Sequence, residues 1–90
     1  MMTRTLNRLT AKQVKAAEPG KYADGGGLWL HKRPDGGGQW FLRVSIHGRR
    51  REVGLGSTNS VTLKGARDSA EQCRSLVRQG LDPIRELRFP

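Results

Sequence analysis

Arginine and aromatic residues lie close together in the middle of the chain, where they could bind an anionic polymer. Arg43 follows Trp40 and Phe41, and the run Arg49–Arg51 comes a few residues later. A planar guanidinium forms bidentate hydrogen bonds with phosphate or guanine and also stacks on aromatic rings. The chemistry that this segment predicts is therefore recognition of negative charge, with no bond made or broken.

Side chains with catalytic potential are scattered along the chain. The two histidines, His31 and His47, have no nearby cysteine and few nearby carboxylates, so the sequence predicts neither a metal site nor a cofactor. The serines show no nucleophile elbow and no histidine–acid pairing. Cys73 falls on an apolar helical stripe and is interpreted as a small core residue. We therefore expect this chain to be a binding module and not an enzyme.

A run of three glycines, Gly25–Gly27, could cradle a phosphate. Such loops follow a strand, open a helix and close with a Lys-Ser/Thr pair, and none of these features is predicted here. We interpret Lys21–Gly27 as a flexible loop that leads into the sheet.

The balance of charge predicts a nucleic-acid partner for this single small domain. The 90 residues contain 17 Lys and Arg against 8 Asp and Glu, for a net charge of +9. Arginine outnumbers lysine by 12 to 5, which favours bidentate recognition over a diffuse charge cloud. No stretch is long or apolar enough to span a bilayer or to act as a signal peptide, so no membrane partner is expected. One cysteine permits no intrachain disulfide, which suits a reducing cytoplasm.

The hydrophobic periodicity predicts an α+β fold: a three-stranded antiparallel β-sheet, a long C-terminal helix packed on one face and a short N-terminal helix. Alternation of period two marks strands at Leu28–Lys32, Trp40–Ile46 and Arg49–Leu55. A capping-box match at Thr10 starts a helix over 11–17. Apolar residues at three- and four-residue steps mark the long helix over 63–79.

His47-Gly48 has the composition of a two-residue hairpin loop, and that loop would fix the register of the last two strands. The predicted cross-strand pairs are Ile46–Arg49, Ser45–Arg50, Val44–Arg51, Arg43–Glu52, Leu42–Val53, Phe41–Gly54 and Trp40–Leu55.

One face of this sheet would be the candidate binding surface. Its predicted members are Trp29, His31, Phe41, Arg43, Ser45, Arg50 and Glu52. The alternative is a solvated face with an Arg43–Glu52 pair that contributes under about 1 kcal/mol. Parity places Arg49 and Arg51 on the core side, near the hairpin end and beyond the helix, where their head groups would stay in water and could reach phosphates.

An ordered set of short motifs resembles a known family. The set comprises Leu9-Thr10-x-x-x-Val14-Lys15, Tyr22-x-Asp24-Gly25-Gly26-Gly27-Leu28-x-Leu30, Trp40-x-x-Arg43, Gly48-Arg49-Arg50-Arg51, Leu55-Gly56-Ser57, Leu63-x-x-Ala66-Arg67 and Gly80-x-Asp82-Pro83. It resembles the N-terminal arm-type DNA-binding domain of phage and genomic-island integrases of the tyrosine-recombinase class, over roughly residues 8 to 83.

The resemblance implies sequence-specific binding of double-stranded DNA at arm-type attachment sites, with the sheet in the major groove. It also implies residues 1–8 as a basic disordered lead-in, 9–82 as the DNA-binding domain and 83–90 as the start of a linker to a catalytic region absent here. Phe41, Ser45 and Asn59 depart from the pattern of relatives, so the preferred DNA sequence does not transfer.

The same resemblance implies a bacterial or phage-encoded protein of the cytoplasm and nucleoid that acts in DNA integration. This chain has no Arg-His-Arg active site, and its one tyrosine, Tyr22, lies in the glycine-rich segment. We therefore expect no catalysis and no small-molecule substrate from it. Other integrase protomers could be contacted through the absent C-terminal region.

Two alternatives remain open on the sequence. The order of one helix, three strands and one helix also fits a double-stranded-RNA-binding domain, although those modules recognise shape through helices and loops. A protein-interaction module could use Trp29 and Phe41 as anchors.

Overall fold

The computed structural model describes residues 8–87 and has an α+β architecture, as the sequence predicts. One antiparallel sheet has the strand order β1-β2-β3-β4, and the helices lie around it. In chain order the elements are α1 (Ala11–Ala16), β1 (Gly20–Gly25), β2 (Leu28–Lys32), β3 (Gly38–Ile46), β4 (Arg49–Ser57), α2 (Leu63–Arg78) and α3 (Pro83–Leu87).

The sheet has four strands, so the prediction of three is wrong. The segment interpreted as a loop over 21–27 forms β1, which pairs with β2 from Gly20–Lys32 to Ala23–Trp29. Glycine and aspartate disfavour strands locally. Tertiary contacts override that preference, because Tyr22 packs against the core and Asp24 is bonded to α2.

The β3–β4 hairpin turns at the two predicted residues. His47 has φ 50° and Gly48 has φ 79°, which is the left-handed geometry of a tight hairpin turn. Six of the seven predicted pairs are confirmed, in an unbroken run from Ile46–Arg49 to Phe41–Gly54.

The seventh predicted pair is wrong because β4 contains a bulge. Trp40 pairs with Gly56, and Leu55 is the extra residue in the ladder. Gly56 has φ 119°, a conformation that favours glycine. Leu55 still enters the core, with 6% of its surface exposed.

The core lies between the sheet and α2. Leu28, Leu30, Trp40, Leu42, Ile46, Val53 and Leu55 are buried against Leu63, Ala66, Ala70 and Cys73. Val44 and Val77 are only partly buried and pack against this core. Trp40 is 1% exposed, and its indole Nε1 donates to Val61 O at 2.9 Å, which satisfies the buried polar atom.

Both predicted helices are present, and each ends one residue earlier than expected. The capping box at Thr10 is confirmed, because the Thr10 hydroxyl accepts from the backbone N–H of Gln13 and the side-chain Oε1 of Gln13 accepts from the backbone N–H of Thr10. α2 ends in a Schellman motif at Gly80, with Leu81 N–H donating to Leu76 O at 2.9 Å.

The first and last described segments of the chain are attached to the rest of the domain. Residues 83–87, expected to begin a linker, form α3, with Pro83 buried and Ile84 and Leu87 against the core. Of the predicted lead-in over 1–8, only Arg8 falls within the described residues, and its N–H donates to Asp24 O at 2.9 Å. Between residues 8 and 87, no helix combines the length and apolar character required to cross a bilayer.

A buried ion pair connects the start of the domain, β1 and α2. Asp24 is 2% exposed, and it accepts from Arg67 Nε at 2.8 Å, Arg67 Nη2 at 2.9 Å and Leu9 N–H at 2.8 Å. Arg67 Nη2 also donates to Leu9 O at 2.7 Å. Burial by itself would raise the pKa of Asp24, but the hydrogen bonds from Arg67 and Leu9 outweigh it and hold that pKa below its ordinary value.

Replacing Trp40 by alanine should lower the free energy of unfolding by about 3–5 kcal/mol, because it removes a fully buried ring and leaves the Val61 carbonyl without its indole donor. Urea denaturation followed by circular dichroism measures this loss. Trp29→Ala is the matched control, since Trp29 is only half-buried on the other face. A Trp40→Ala protein as stable as Trp29→Ala would contradict the assignment of the core.

The Asp24–Arg67 pair predicts a loss of stability in acid. The folded-state pKa of Asp24 lies below its ordinary value of 3.8, so the stabilisation is complete above about pH 5 and is lost as pH falls through the folded-state pKa. Asp24→Asn should therefore be less stable than wild type at pH 7, and the difference should narrow as pH falls below 3.8. Urea midpoints at several pH values measure the difference, and a gap that stays constant with pH would refute this role.

Candidate nucleic-acid interface

The face of the sheet opposite α2 gathers the seven residues predicted for it. We call it the outer face. The register places Trp29 opposite Phe41, Arg43 opposite Glu52 and Ser45 opposite Arg50. His31 lies farther along β2, opposite Gln39. All seven are exposed or half-exposed, so the face is open to a partner.

An aromatic and cationic cluster lies at the centre of the outer face. The rings of Trp29 and Phe41 are stacked, with centroids 6.2 Å apart and planes inclined by 9°. The Arg43 guanidinium carbon lies 4.8 Å from the Trp29 centroid and 5.6 Å from that of Phe41. Arg43 Nε also donates to Glu52 Oε2 at 3.1 Å. These contacts fix the guanidinium before any partner arrives, while 39% of the Arg43 side chain remains exposed.

Lys21 adds a second cation to this cluster, and the sequence analysis missed it. Lys21 is opposite His31 on β1, and its Nζ lies 6.0 Å from the Phe41 centroid. The sequence does not predict this cation, because Lys21-Tyr22-Ala23-Asp24 shows no alternation of polar and apolar residues: the inward position 24 carries a carboxylate, and glycines flank the segment.

Arg49 and Arg51 lie on the other edge strand, β4, and both are exposed. The hairpin tip lies against the chain just past the end of α2, because His47 Nε2 lies 3.0 Å from Gly80 O and the helix ends at Arg78. In the register these arginines lie opposite Ile46 and Val44, so both leave β4 on the α2 side of the sheet, near the hairpin tip, and both are exposed.

The described residues offer no sign of catalytic chemistry at this face. No three His, Cys, Asp or Glu side chains within 8–87 are grouped so as to hold a metal ion. Tyr22 is half-buried on the opposite side, and its hydroxyl donates to Glu18 O at 2.7 Å. Burial raises the pKa of the Cys73 thiol, which disfavours the reactive thiolate.

Comparison with known proteins agrees with the resemblance seen in the sequence. A family model described as an arm DNA-binding domain matches residues 9–88. The integrase of Shigella phage Sf6 and the prophage integrase IntS of Escherichia coli (strain K12) are each 36% identical over 81 residues, covering 86% of this chain and 21% of theirs. The integrase of Enterobacteria phage P4 is 34% identical over 82 residues, covering 84% of this chain and 19% of its own. The chain therefore spans about a fifth of the length of these relatives.

Proposed function

This chain belongs to the arm DNA-binding domain family, and we propose that it binds arm-type attachment sites by placing the outer face of its sheet in the major groove. The observation that carries the proposal is the preorganised Arg43, held between Trp29, Phe41 and Glu52 at the centre of an open face. Guanine presents two acceptors in the major groove, and a fixed guanidinium matches them bidentately.

The width of the sheet supports this docking. Strands lie about 4.8 Å apart, so four strands span about 14 Å, whereas the major groove is about 12 Å wide. The two central strands, β2 and β3, fit between the groove walls and carry the aromatic residues and Arg43 towards the bases. The edge strands then face the phosphates, with Lys21 on one side and Arg50 on the other. Arg49 and Arg51 leave β4 on the opposite face near the hairpin tip, and their long side chains would reach phosphates around the free edge of that strand.

Within a parent protein, the role of this domain would be to hold arm sites while a separate region exchanges DNA strands. Its relatives are named integrases, and each is about five times longer than the matched segment. We propose a parent of the tyrosine-recombinase class in the bacterial cytoplasm and nucleoid, with other protomers contacted through that separate region. Residues 1–8 would form the lead-in, 9–82 the domain and 83–90, beginning with α3, the connection.

A binding comparison tests the ligand class. The domain is titrated against attachment-site arm DNA, scrambled DNA and an RNA duplex of equal length, each at two salt concentrations. We expect preference for the arm DNA and a steep loss of affinity with salt. Equal or tighter binding to the RNA duplex would favour a double-stranded-RNA-binding module, and weak salt dependence would favour a protein-interaction module.

Arg43→Ala should cost about 1–3 kcal/mol on the cognate arm site and much less on scrambled DNA, because only the cognate site offers the guanine contact. The measured quantity is the ratio of specific to non-specific affinity. Glu52→Gln tests whether the carboxylate holds Arg43 in place, and it should lower that ratio less than Arg43→Ala. A ratio unchanged in Arg43→Ala would exclude the outer face as the base-contacting surface.

Arg51→Ala should weaken binding to all duplexes by a similar factor, since a phosphate contact carries no sequence information. The slope of log affinity against log salt should fall by about one unit. Lys64→Ala is the control, because Lys64 lies on α2, away from the outer face, and is paired with Asp68 at 3.1 Å. If both variants changed the slope equally, Arg51 of β4 would contact DNA phosphates no more than a cation elsewhere on the surface does.

A further inference from the structure

A depression with a volume of about 530 Å³ opens beside β3, next to the turn between β1 and β2. Its lining includes Gly26, Gly27, Arg43, Ser45, Arg50 and Arg74. No acidic residue is among the described residues that line it. Three arginines from three different elements therefore converge on one concave surface.

The depression exists because β2 is shorter than β3. β2 begins at Leu28, opposite Leu42, and the last contact on this side is Arg43 N–H donating to Gly27 O at 2.7 Å. Backbone groups alternate sides along an antiparallel strand, so the N–H of Ser45 points the same way as that of Arg43. No strand pairs with Ser45 on that side in the described sheet, so its N–H faces the depression.

A glycine at position 27 is needed for the turn to come this close to β3. Gly27 has φ 89°, and a Cβ built there would clash with the carbonyl oxygen of Arg43. The turn thus forms one wall of the depression and leaves room for a small ligand above Ser45.

Arg74 reaches the depression from α2. Its Nε donates to Gly26 O at 2.9 Å, and only 16% of its side chain is exposed, so the guanidinium is held in place. Its contact with Glu71 is long, at 3.5 Å, and Glu71 also accepts from Arg78 Nη2 at 3.0 Å. Arg50 has no acidic partner within 4 Å among the described residues, so positive charge in the depression exceeds its compensation.

We propose that this depression binds one backbone phosphate of DNA and thereby sets the register of the sheet in the groove. Fixed guanidinium groups, a strand N–H and a serine hydroxyl are the donors that a phosphate oxygen prefers. The inference rests on the proposed function, and it adds Arg74, a helix residue, as a phosphate-binding residue.

Arg74→Ala, Arg74→Lys and Arg78→Ala test the depression on a duplex selected by the wild-type domain from random DNA. Arg74→Ala should bind about tenfold more weakly, with a salt slope lower by about one unit. Arg74→Lys should restore the slope because it keeps the charge. Arg78→Ala, which removes a neighbouring cation of the same helix, should change neither quantity.

A second variant covers the case in which Arg74→Ala fails to fold. Ser45→Asp puts a negative charge into the depression from an exposed position. Ser60→Asp is the control, because it adds the same charge to the exposed loop before α2, outside the depression. Ser45→Asp should weaken binding by far more than Ser60→Asp. Equal effects would overturn the proposal.

Single methylphosphonate substitutions, each of which neutralises one phosphate, locate the contact. One position should weaken the wild type while causing no further loss in Arg74→Ala. An Arg74→Ala protein with wild-type affinity, or with a lower affinity and an unchanged salt slope, would overturn the proposed phosphate site and leave the proposed function of the domain untouched. Failure of the proposed function itself would appear separately, as an unchanged specificity ratio in Arg43→Ala.

Discussion

The buried ion pair between Asp24 and Arg67 is the constraint on which the arrangement of the outer face depends. A carboxylate that is 2% exposed is tolerated only with a charged partner, and Arg67 of α2 supplies it through two hydrogen bonds. Since Asp24 belongs to β1, the pair fixes the edge strand relative to the helix. Leu9 joins through both its N–H and its carbonyl, which ties the start of the domain to the same point. Lys21, three residues earlier on β1, is thereby held at the edge of the outer face.

The tight packing of α2 on one face explains why the outer face is left open. Ala66, Ala70 and Cys73 are fully buried, so the helix lies close to the sheet and covers its apolar side. No helix covers Trp29 and Phe41, which instead stack on each other and on Arg43. The exposed faces of these rings stabilise a guanidinium by cation–π interaction and leave it accessible. Rings buried in the core could not do both.

The sequence predicts the elements whose period is regular and misses those that depend on distant contacts. β3, β4, their turn and six of seven pairs follow from alternation and from His47-Gly48, because a two-residue turn determines register. β1 does not follow, since its glycines and aspartate look like a loop until Arg67, 43 residues away, compensates the charge of Asp24. The bulge at Leu55 depends on the conformation of Gly56, and period-two alternation carries no information about it. Arg74 appears on a helix face in the sequence, and only the close approach of the Gly26–Gly27 turn brings it to the sheet.

The placement of acidic residues turns a general positive charge into a directional one. On α2, Lys64 pairs with Asp68, Arg67 with Asp24, and Arg74 and Arg78 with Glu71, so each of the four cations of this helix has an acidic partner. On the outer face, Glu52 is the one acid among the described strand residues, against the cations Lys21, Arg43 and Arg50. A charge distribution of this kind gives the molecule a positive side, and a polyanion attracts that side first. In the docking that we propose, the same asymmetry would present the outer face to DNA, with Arg43 and the depression beside β3 at the point of first contact.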